Sequence, residues 1–178
     1  QYADIVLTEA GFGSDLGAEK FFDIKARYGG LDVAGAVIVG TIRSIKHNAG
    51  VAKAELSNEN VAALEEGIVN LERHVENVRK FGVTPVVALN RFTSDTSAEL
   101  EFVHAWAKDK GVALAEADVW GKGGDGALKL AQTLLDNLTE GTSHPLYDPA
   151  EGVENSIETI AKEIYRAAVS YTHLTLPT

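Results

Sequence analysis

The 178-residue chain contains no cysteine, no methionine and only four prolines. The absence of cysteine excludes disulfide bonds and thiolate metal sites, and the five histidines never take the spacing of a zinc motif. No apolar run is long enough to span a bilayer, and we expect no signal peptide. We therefore expect a cytoplasmic protein with no membrane partner and no protein-bound metal.

Positive charge is also scarce, with 16 Lys and Arg residues against 26 Asp and Glu residues and a net charge of −10. A nucleic-acid surface needs clustered Lys and Arg, so we expect no nucleic-acid partner. An acidic protein can still bind an anionic small molecule in a local positive pocket. The simplest role for the excess acid is solubility.

Four short apolar runs predict buried strands: residues 5–7, 36–42 and 85–89, and more weakly residues 112–115. The runs are continuous rather than alternating, which is typical of a parallel sheet covered on both faces. Helical periodicity lies between and after them, at residues 16–28, 60–81, 96–110, 127–138 and 153–169, with Ser97 as a candidate cap. This alternation predicts an α/β fold, a mostly parallel sheet with helices on both faces.

The chain divides by composition into four parts. We expect an α/β region at residues 1–140, a linker with two prolines at 141–152, and the helical start of a further region at 153–169. Residues 170–178 fit neither a helical nor a strand period, and we expect them not to be native. We expect both ends of the chain to be cuts within a longer protein.

Four loops follow the predicted strands, and ligands of parallel sheets bind at the carboxyl ends of strands. The loops at residues 9–17, 43–50, 90–96 and 117–126 should therefore meet at one rim. In the first, Phe12 lies between two glycines and is suited to stack on a flat ligand, or alternatively to pack into the core. In the fourth, Trp120 offers a stacking face before a glycine-rich turn, unless it packs inward.

The two middle loops carry polar candidates. Arg43, Lys46 and His47 suit a phosphate or carboxylate, or alternatively form a solvated turn. Asn90 can read the edge of a purine, or alternatively make an Asx turn and helix cap together with Asp95.

Other catalytic patterns are missing from the sequence. No serine or cysteine triad is visible, and no GxxxxGK[ST] phosphate loop occurs in the chain. The remaining histidines, His74, His104 and His144, have no catalytic neighbour in sequence, and we expect them to be surface residues.

Long stretches of the chain resemble the formate–tetrahydrofolate ligase family. They are TEAGFGSDLGAEKFFDIK at 8–25, VGTIRSIKHNAG at 39–50, NLERHVENVRKFGVTPVVALNRFTSDTSAEL at 70–100, VWGKGGDGALKLA at 119–131 and IETIAKEIY at 157–165. The chain departs from the family pattern at Gly40, Ser44, Ile45, Ala49 and Thr93.

The resemblance implies an incomplete P-loop-NTPase-like fold and a ligase that joins formate to tetrahydrofolate in the cytoplasm. In the family, ATP phosphorylates formate to formyl phosphate, and N10 of tetrahydrofolate attacks it. ATP, Mg²⁺ and tetrahydrofolate are thus implied, with a monovalent cation and a homo-oligomeric parent.

The resemblance also assigns residues. Phe12 and Trp120 match the aromatic pair that encloses the folate ring, with Phe92 on the folate side. Asn90, Arg91, Lys122, Gly123 and Gly124 fall on the nucleotide side. The family's phosphate-loop lysine and formyl-phosphate arginine have no counterpart in this segment, so we expect no activity from the isolated chain.

Two other interpretations stay open. A folate- or nucleotide-binding module without catalysis is compatible with the departures at Gly40, Ala49 and Thr93. A generic doubly wound domain with another ligand would bury Trp120, and its four loops would not converge.

Overall fold

The computed structural model of the chain describes residues 3–168, so the predicted non-native tail at residues 170–178 lies outside the described part. The described residues form two compact units, one comprising residues 3–31 with 144–168 and the other comprising Asp32–Ser143. The boundaries proposed from composition remain predictions.

The larger unit contains a parallel three-stranded sheet in the order β1-β2-β3, formed by Ala36–Gly40, Pro85–Asn90 and Ala113–Ala117. Val87 pairs with Ile38 on one side and with Leu114 on the other. The larger unit's α-helices are α2 (Ile42–Asn48), α3 (Val61–Lys80), α4 (Ser97–Asp109), α5 (Val119–Lys122) and α6 (Leu128–Leu135), with 3₁₀ turns at Lys53–Glu55 and Gly123–Ala127. The prediction of an α/β fold with a parallel sheet is confirmed.

The core lies between one face of the sheet and helices α2, α3 and α4. Ile45, Leu64, Leu71, Val87 and Leu89 are buried together in one cluster. Helix α6 contacts β3 and β2, and Val86 and Ala88, which alternate with the core residues of β2, are also buried. Both faces of β2 are therefore covered, as predicted, but Val37 and Val39 of β1 remain exposed, so the prediction is wrong for that strand.

Helix boundaries follow local capping chemistry. Asn60 caps α3 by accepting a hydrogen bond from the Ala63 amide, and Gly82 follows the helix with φ +78°. For α4, the prediction of Ser97 as the cap is wrong. The N-cap is Thr96, one residue earlier, which forms a capping box with Glu99.

The smaller unit is wound from short helical turns. They are Ser14–Ala18 and Phe21–Ala26 (both π-helical), α1 (Arg27–Gly29), a 3₁₀ turn at Pro149–Glu151, α7 (Val153–Thr159) and π-helical Ile160–Ile164. The helical predictions for residues 16–28 and 153–169 match this region, although residue 169 is not described. The predicted strand at residues 5–7 is wrong: these side chains are exposed, and no strand within residues 3–168 pairs with this segment.

Two acidic side chains of the smaller unit are buried together. Asp23 accepts a hydrogen bond from the Leu146 amide at 2.6 Å, and Glu19 accepts one from the Tyr147 hydroxyl at 3.4 Å. Burial raises the pKa of Asp23 and, with repulsion from Asp23, the pKa of Glu19. Burial and the nearby Glu19 charge raise the pKa of Tyr147 to about 12.

The raised pKa values of Glu19 and Asp23 predict that these two carboxyl groups contribute more to the stability of the smaller unit as the pH falls from neutral toward about 4, the ordinary range of carboxyl groups. The folded chain then binds protons that the unfolded chain has not yet taken up, so protonation favours the folded state. Urea denaturation at a series of pH values measures the effect. Asp23→Asn should flatten this dependence, and an unchanged slope in that variant would contradict the prediction.

Candidate functional site

Three of the four predicted loops meet at the carboxyl end of the sheet. The Arg43 guanidinium lies 4.3 Å from the centroid of the Phe92 ring and donates a hydrogen bond to the Ser94 hydroxyl at 3.2 Å. The Arg91 amide donates to the Ala117 carbonyl at 3.0 Å. The loops after β1, β2 and β3 are thereby joined at one rim, as parallel strands require. The loop at residues 9–17 belongs to the other unit, and its convergence with this rim remains a prediction.

The segment after β1 is a helix, not the predicted loop. Thr41 and Ser44 form a capping box that starts α2 at once, in place of the usual Ser/Thr–Glu/Gln pair. Lys46 therefore points inward, with its side chain only 1% exposed, and binds Glu99 at 2.7 Å and the Asn58 carbonyl at 2.9 Å. The expectation that Lys46 binds a ligand is wrong, whereas Arg43 remains at the rim.

The turn after β2 is organised by Asp95. Its carboxylate accepts a hydrogen bond from the Phe92 amide, three residues earlier in the chain, at 2.8 Å. An Asx turn needs a side chain that accepts from the amide two residues later, and α4 is capped by Thr96, so the alternative of an Asx turn and helix cap through Asn90 and Asp95 is wrong. Within residues 3–168, no hydrogen bond joins the Asn90 side chain to another residue. Both the donor and the acceptor of the Asn90 side-chain amide are therefore free in this part of the chain.

Phe92 presents one ring face to Arg43 and is partly exposed. A guanidinium over an aromatic ring is favourable and fixes the orientation of the ring. The arrangement leaves a half-exposed aromatic surface at the rim, next to Arg91.

The turn after β3 displays Trp120 to solvent. Trp120 lies on the short helix α5, which Asp118 caps by accepting from the Gly121 amide at 3.1 Å, and its side chain is 94% exposed. The alternative that Trp120 packs inward is therefore wrong. A generic doubly wound domain would also have buried Trp120, and the structure does not show that burial.

Glycines close this turn tightly. A Cβ at Gly126 would lie 2.1 Å from the Asp118 carbonyl oxygen, and Gly123 has φ +58°. Only glycine fits such positions without strain. The Lys122 ammonium lies 3.7 Å from Asp118 and is largely exposed, so it remains near the rim with its charge accessible.

Phe12, in the smaller unit, is likewise displayed rather than buried. Its side chain is 83% exposed, its backbone φ is +71°, and the Lys20 ammonium lies 5.4 Å from the ring centroid. A positive φ is rare for an aromatic residue and is found preferentially at functional positions. The alternative that Phe12 tucks into the core is wrong.

One group of charged residues was missed from the sequence. Glu116 of β3 binds Arg91 Nη1 at 3.1 Å and His104 Nε2 at 2.7 Å. His104 is a surface residue, as expected, but it pairs with Glu116. The detectable signal was an acidic residue at the end of an apolar strand, but the predicted strand at residues 112–115 ended two residues before the observed end at Ala117.

Metal and membrane features are absent from the described part. No group of three or more His, Asp or Glu side chains in residues 3–168 could hold a metal ion. Over the same range, no helix combines the length and the apolar character needed to cross a membrane.

Comparison with known proteins identifies the family. The sequence model described as formate–tetrahydrofolate ligase matches residues 1–175. A formate–tetrahydrofolate ligase of Corynebacterium diphtheriae (strain ATCC 700971 / NCTC 13129 / Biotype gravis) is 59% identical over 165 residues, 93% of this chain and 30% of the relative. Two from Staphylococcus aureus, strains JH9 and NCTC 8325 / PS 47, are each 56% identical over 164 residues, 92% of this chain and 30% of the relative. The chain spans about a third of the length of these relatives, and it belongs to the formate–tetrahydrofolate ligase family.

Proposed function

We propose that this chain is the folate-binding segment of an ATP-dependent ligase that joins formate to tetrahydrofolate. Formate takes the γ-phosphoryl group of ATP to give formyl phosphate and ADP. N10 of tetrahydrofolate then attacks the formyl carbon, and phosphate leaves as 10-formyltetrahydrofolate forms. The observation that carries the proposal is the display of Phe12 and Trp120, two large aromatic side chains that the fold leaves in solvent.

The energetic argument concerns these exposed aromatics. A side chain the size of tryptophan gains roughly 1.5–3 kcal/mol or more from burial, so leaving Trp120 exposed forgoes that stabilisation. Stacking on a flat pterin ring would recover it on binding. Neither ring is needed for the hydrophobic core, which is formed by other residues.

The residues assigned to the nucleotide side of the proposed site follow β2 and β3. Asn90 has a free amide, Arg91 is a partly exposed cation, and Lys122 carries an accessible ammonium. These groups suit a purine edge and phosphate oxygens. The backbone at Gly123 and Gly124 leaves room for a ligand, since no atom lies within 4 Å of a Cβ built at either residue.

Catalysis in this proposal needs parts that the chain does not contain. No GxxxxGK[ST] loop is present in the sequence, and such loops supply much of the affinity for nucleotide phosphates. Residues 3–168 contain no group of three or more His, Asp or Glu side chains that could hold a metal ion, and no step through Mg²⁺ is assigned to this chain. We propose that the isolated chain is inactive and that ATP alone binds it weakly.

Quenching of tryptophan fluorescence by a tetrahydrofolate analogue tests the proposal. We expect saturable quenching of Trp120, with buried Trp106 as the constant background. Stacking on an aromatic ring is worth about 1–3 kcal/mol, so Phe12→Ala should weaken binding by roughly 5- to 150-fold. Trp120→Phe should abolish the quenching signal.

Tyr28→Ala provides the matched control, because Tyr28 is another exposed aromatic of the same unit outside the proposed site. It should leave the affinity for the analogue unchanged. If the quenching is saturable but Phe12→Ala and Tyr28→Ala change the affinity for the analogue equally, the assignment of Phe12 to the folate site is refuted. A folded chain that shows no saturable quenching would refute the proposal that this segment binds folate by itself.

A further inference from the structure

Arg91 is fixed to the neighbouring strand at two points. Its backbone amide donates to the Ala117 carbonyl at 3.0 Å, and its Nη1 donates to Glu116 Oε2 at 3.1 Å. A long flexible side chain is thus held where β2 ends. Holding an arginine in one orientation removes the entropy that it would otherwise lose when it binds a ligand.

Glu116 is itself held by a second partner. Its Oε1 lies 2.7 Å from Nε2 of His104, which comes from α4. Burial alone would raise the pKa of Glu116, but the hydrogen bond to His104 and the charge of Arg91 lower it. The carboxylate therefore stays ionised at neutral pH and keeps both contacts.

Most of the binding capacity of Arg91 remains unused. A guanidinium has five N–H donors, and Glu116 takes one of them. Within residues 3–168, no other side chain accepts a hydrogen bond from the Arg91 guanidinium, and 37% of the side chain is exposed. Arg91 directly follows β2, so its guanidinium lies at the carboxyl end of the sheet, on the face that carries Glu116.

We propose that Glu116 is a positioning residue, which fixes Arg91 so that its free edge binds an anionic oxygen group of the ligand, a phosphate or a carboxylate. His104 supports this role by holding the second oxygen of Glu116. The inference rests on the proposed function and adds to it a residue that never touches the ligand.

A different role for Glu116 makes the opposite prediction. If Glu116 only neutralised the charge of Arg91, then replacing Glu116 with any neutral residue would strengthen the attraction of Arg91 for anions. If Glu116 orients Arg91, the consequence depends on whether the replacement can still accept a hydrogen bond. Glu116→Gln keeps the acceptor and loses the charge, whereas Glu116→Ala loses both.

Isothermal titration calorimetry on the whole 178-residue chain at low salt distinguishes these roles. The probes are inorganic triphosphate, which represents the nucleotide, and p-aminobenzoylglutamate, which represents the carboxylate tail of folate. With the probe that Arg91 binds, Arg91→Ala should weaken binding by roughly tenfold, as expected for a charge-assisted contact. Glu116→Ala should also weaken binding, whereas Glu116→Gln should bind at least as tightly as the unaltered chain.

The control is Glu65→Ala, which removes the same charge from an exposed position of α3. The proposal is overturned if Glu116→Ala tightens binding as much as Glu116→Gln does, or if the unaltered chain binds neither probe at millimolar concentration. Circular dichroism confirms that each variant is folded, and the nearly isosteric glutamine variant keeps the test decisive. Quenching of Trp120 by the folate analogue reports the proposed function separately, so its failure is distinguishable from failure of the Glu116 inference.

Discussion

Replacing Lys46 with methionine is expected to lower the free energy of unfolding by about 3–5 kcal/mol, because it leaves the Glu99 carboxylate buried without its cation. Lys46 and Glu99 are 1% and 0% exposed and lie 2.7 Å apart. Glu99 also accepts hydrogen bonds from the Asn60 amide at 3.0 Å and the Thr96 amide at 3.2 Å. The pair therefore joins α2, the start of α3 and the start of α4.

The ionisation of Glu99 depends on these partners. Burial alone would raise its pKa, but the hydrogen bonds from Lys46, Asn60 and Thr96 together lower it. Without Lys46, Glu99 must either stay charged at a high cost or take up a proton. The loss of stability in Lys46→Met should accordingly become smaller as the pH falls.

Urea denaturation at pH 7 provides the measurement. Lys162→Met serves as the control, because Lys162 pairs with Glu158 on the surface and exposed pairs contribute little. That variant should leave the midpoint unchanged. The double variant Lys46→Met/Glu99→Leu should recover part of the lost stability, since it removes the unpaired charge. A Lys46→Met variant as stable as the Lys162 control would contradict the structural role.

Lys46 also shows why part of the site could not be predicted. Its position after a buried strand, beside Arg43 and His47, favours anion binding when the segment is taken as a loop. The capping by Thr41 and Ser44 turns the segment into a helix and carries Lys46 to the inner face. Its partner Glu99 is 53 residues away in sequence, so no local pattern indicates the pairing.

The elements with strong local signals were predictable. Helix α3 repeats apolar residues at three- and four-residue steps and is closed by Asn60 and Gly82, and its predicted range of 60–81 matches Val61–Lys80 closely. Strand β2 is a continuous apolar run and is buried on both faces. Residues 5–7 have the same composition but remain exposed, because a strand also needs a neighbour with which to pair its backbone groups.

The exposure of Phe12 and Trp120 was one of two alternatives that local context left open, whereas the rim was predicted from topology. Phe12 and Trp120 stand beside glycines, and such turns display a side chain rather than bury it. The convergence of the loops after β1, β2 and β3 follows from the parallel sheet. The contact of Glu116 with Arg91 and His104 depends on strand register and on the rotation of α4, which the sequence alone does not determine.

Replacing Gly67 with alanine is expected to destabilise the fold by roughly 3 kcal/mol, the upper end of the usual cost of overpacking. A Cβ at Gly67 would lie 1.9 Å from the carbonyl oxygen of Ile45 in α2 and 3.2 Å from the backbone nitrogen of Ala49, the C-cap of that helix. A side chain could rotate away, but here the whole helix would have to shift.

Helix propensity alone predicts that Gly67→Ala stabilises the fold, since alanine in a helix interior is favoured over glycine by about 1 kcal/mol. We expect the opposite change in the free energy of unfolding. Gly124→Ala is the control, because a Cβ there meets no atom within 4 Å, and its stability should stay close to that of the unaltered chain. The urea midpoint measures both variants. Since α2 carries Arg43 and Lys46, a shifted α2 should also move Arg43 away from Phe92. Gly67→Ala with unaltered or increased stability would show that α2 and α3 do not pack as closely as the structure indicates.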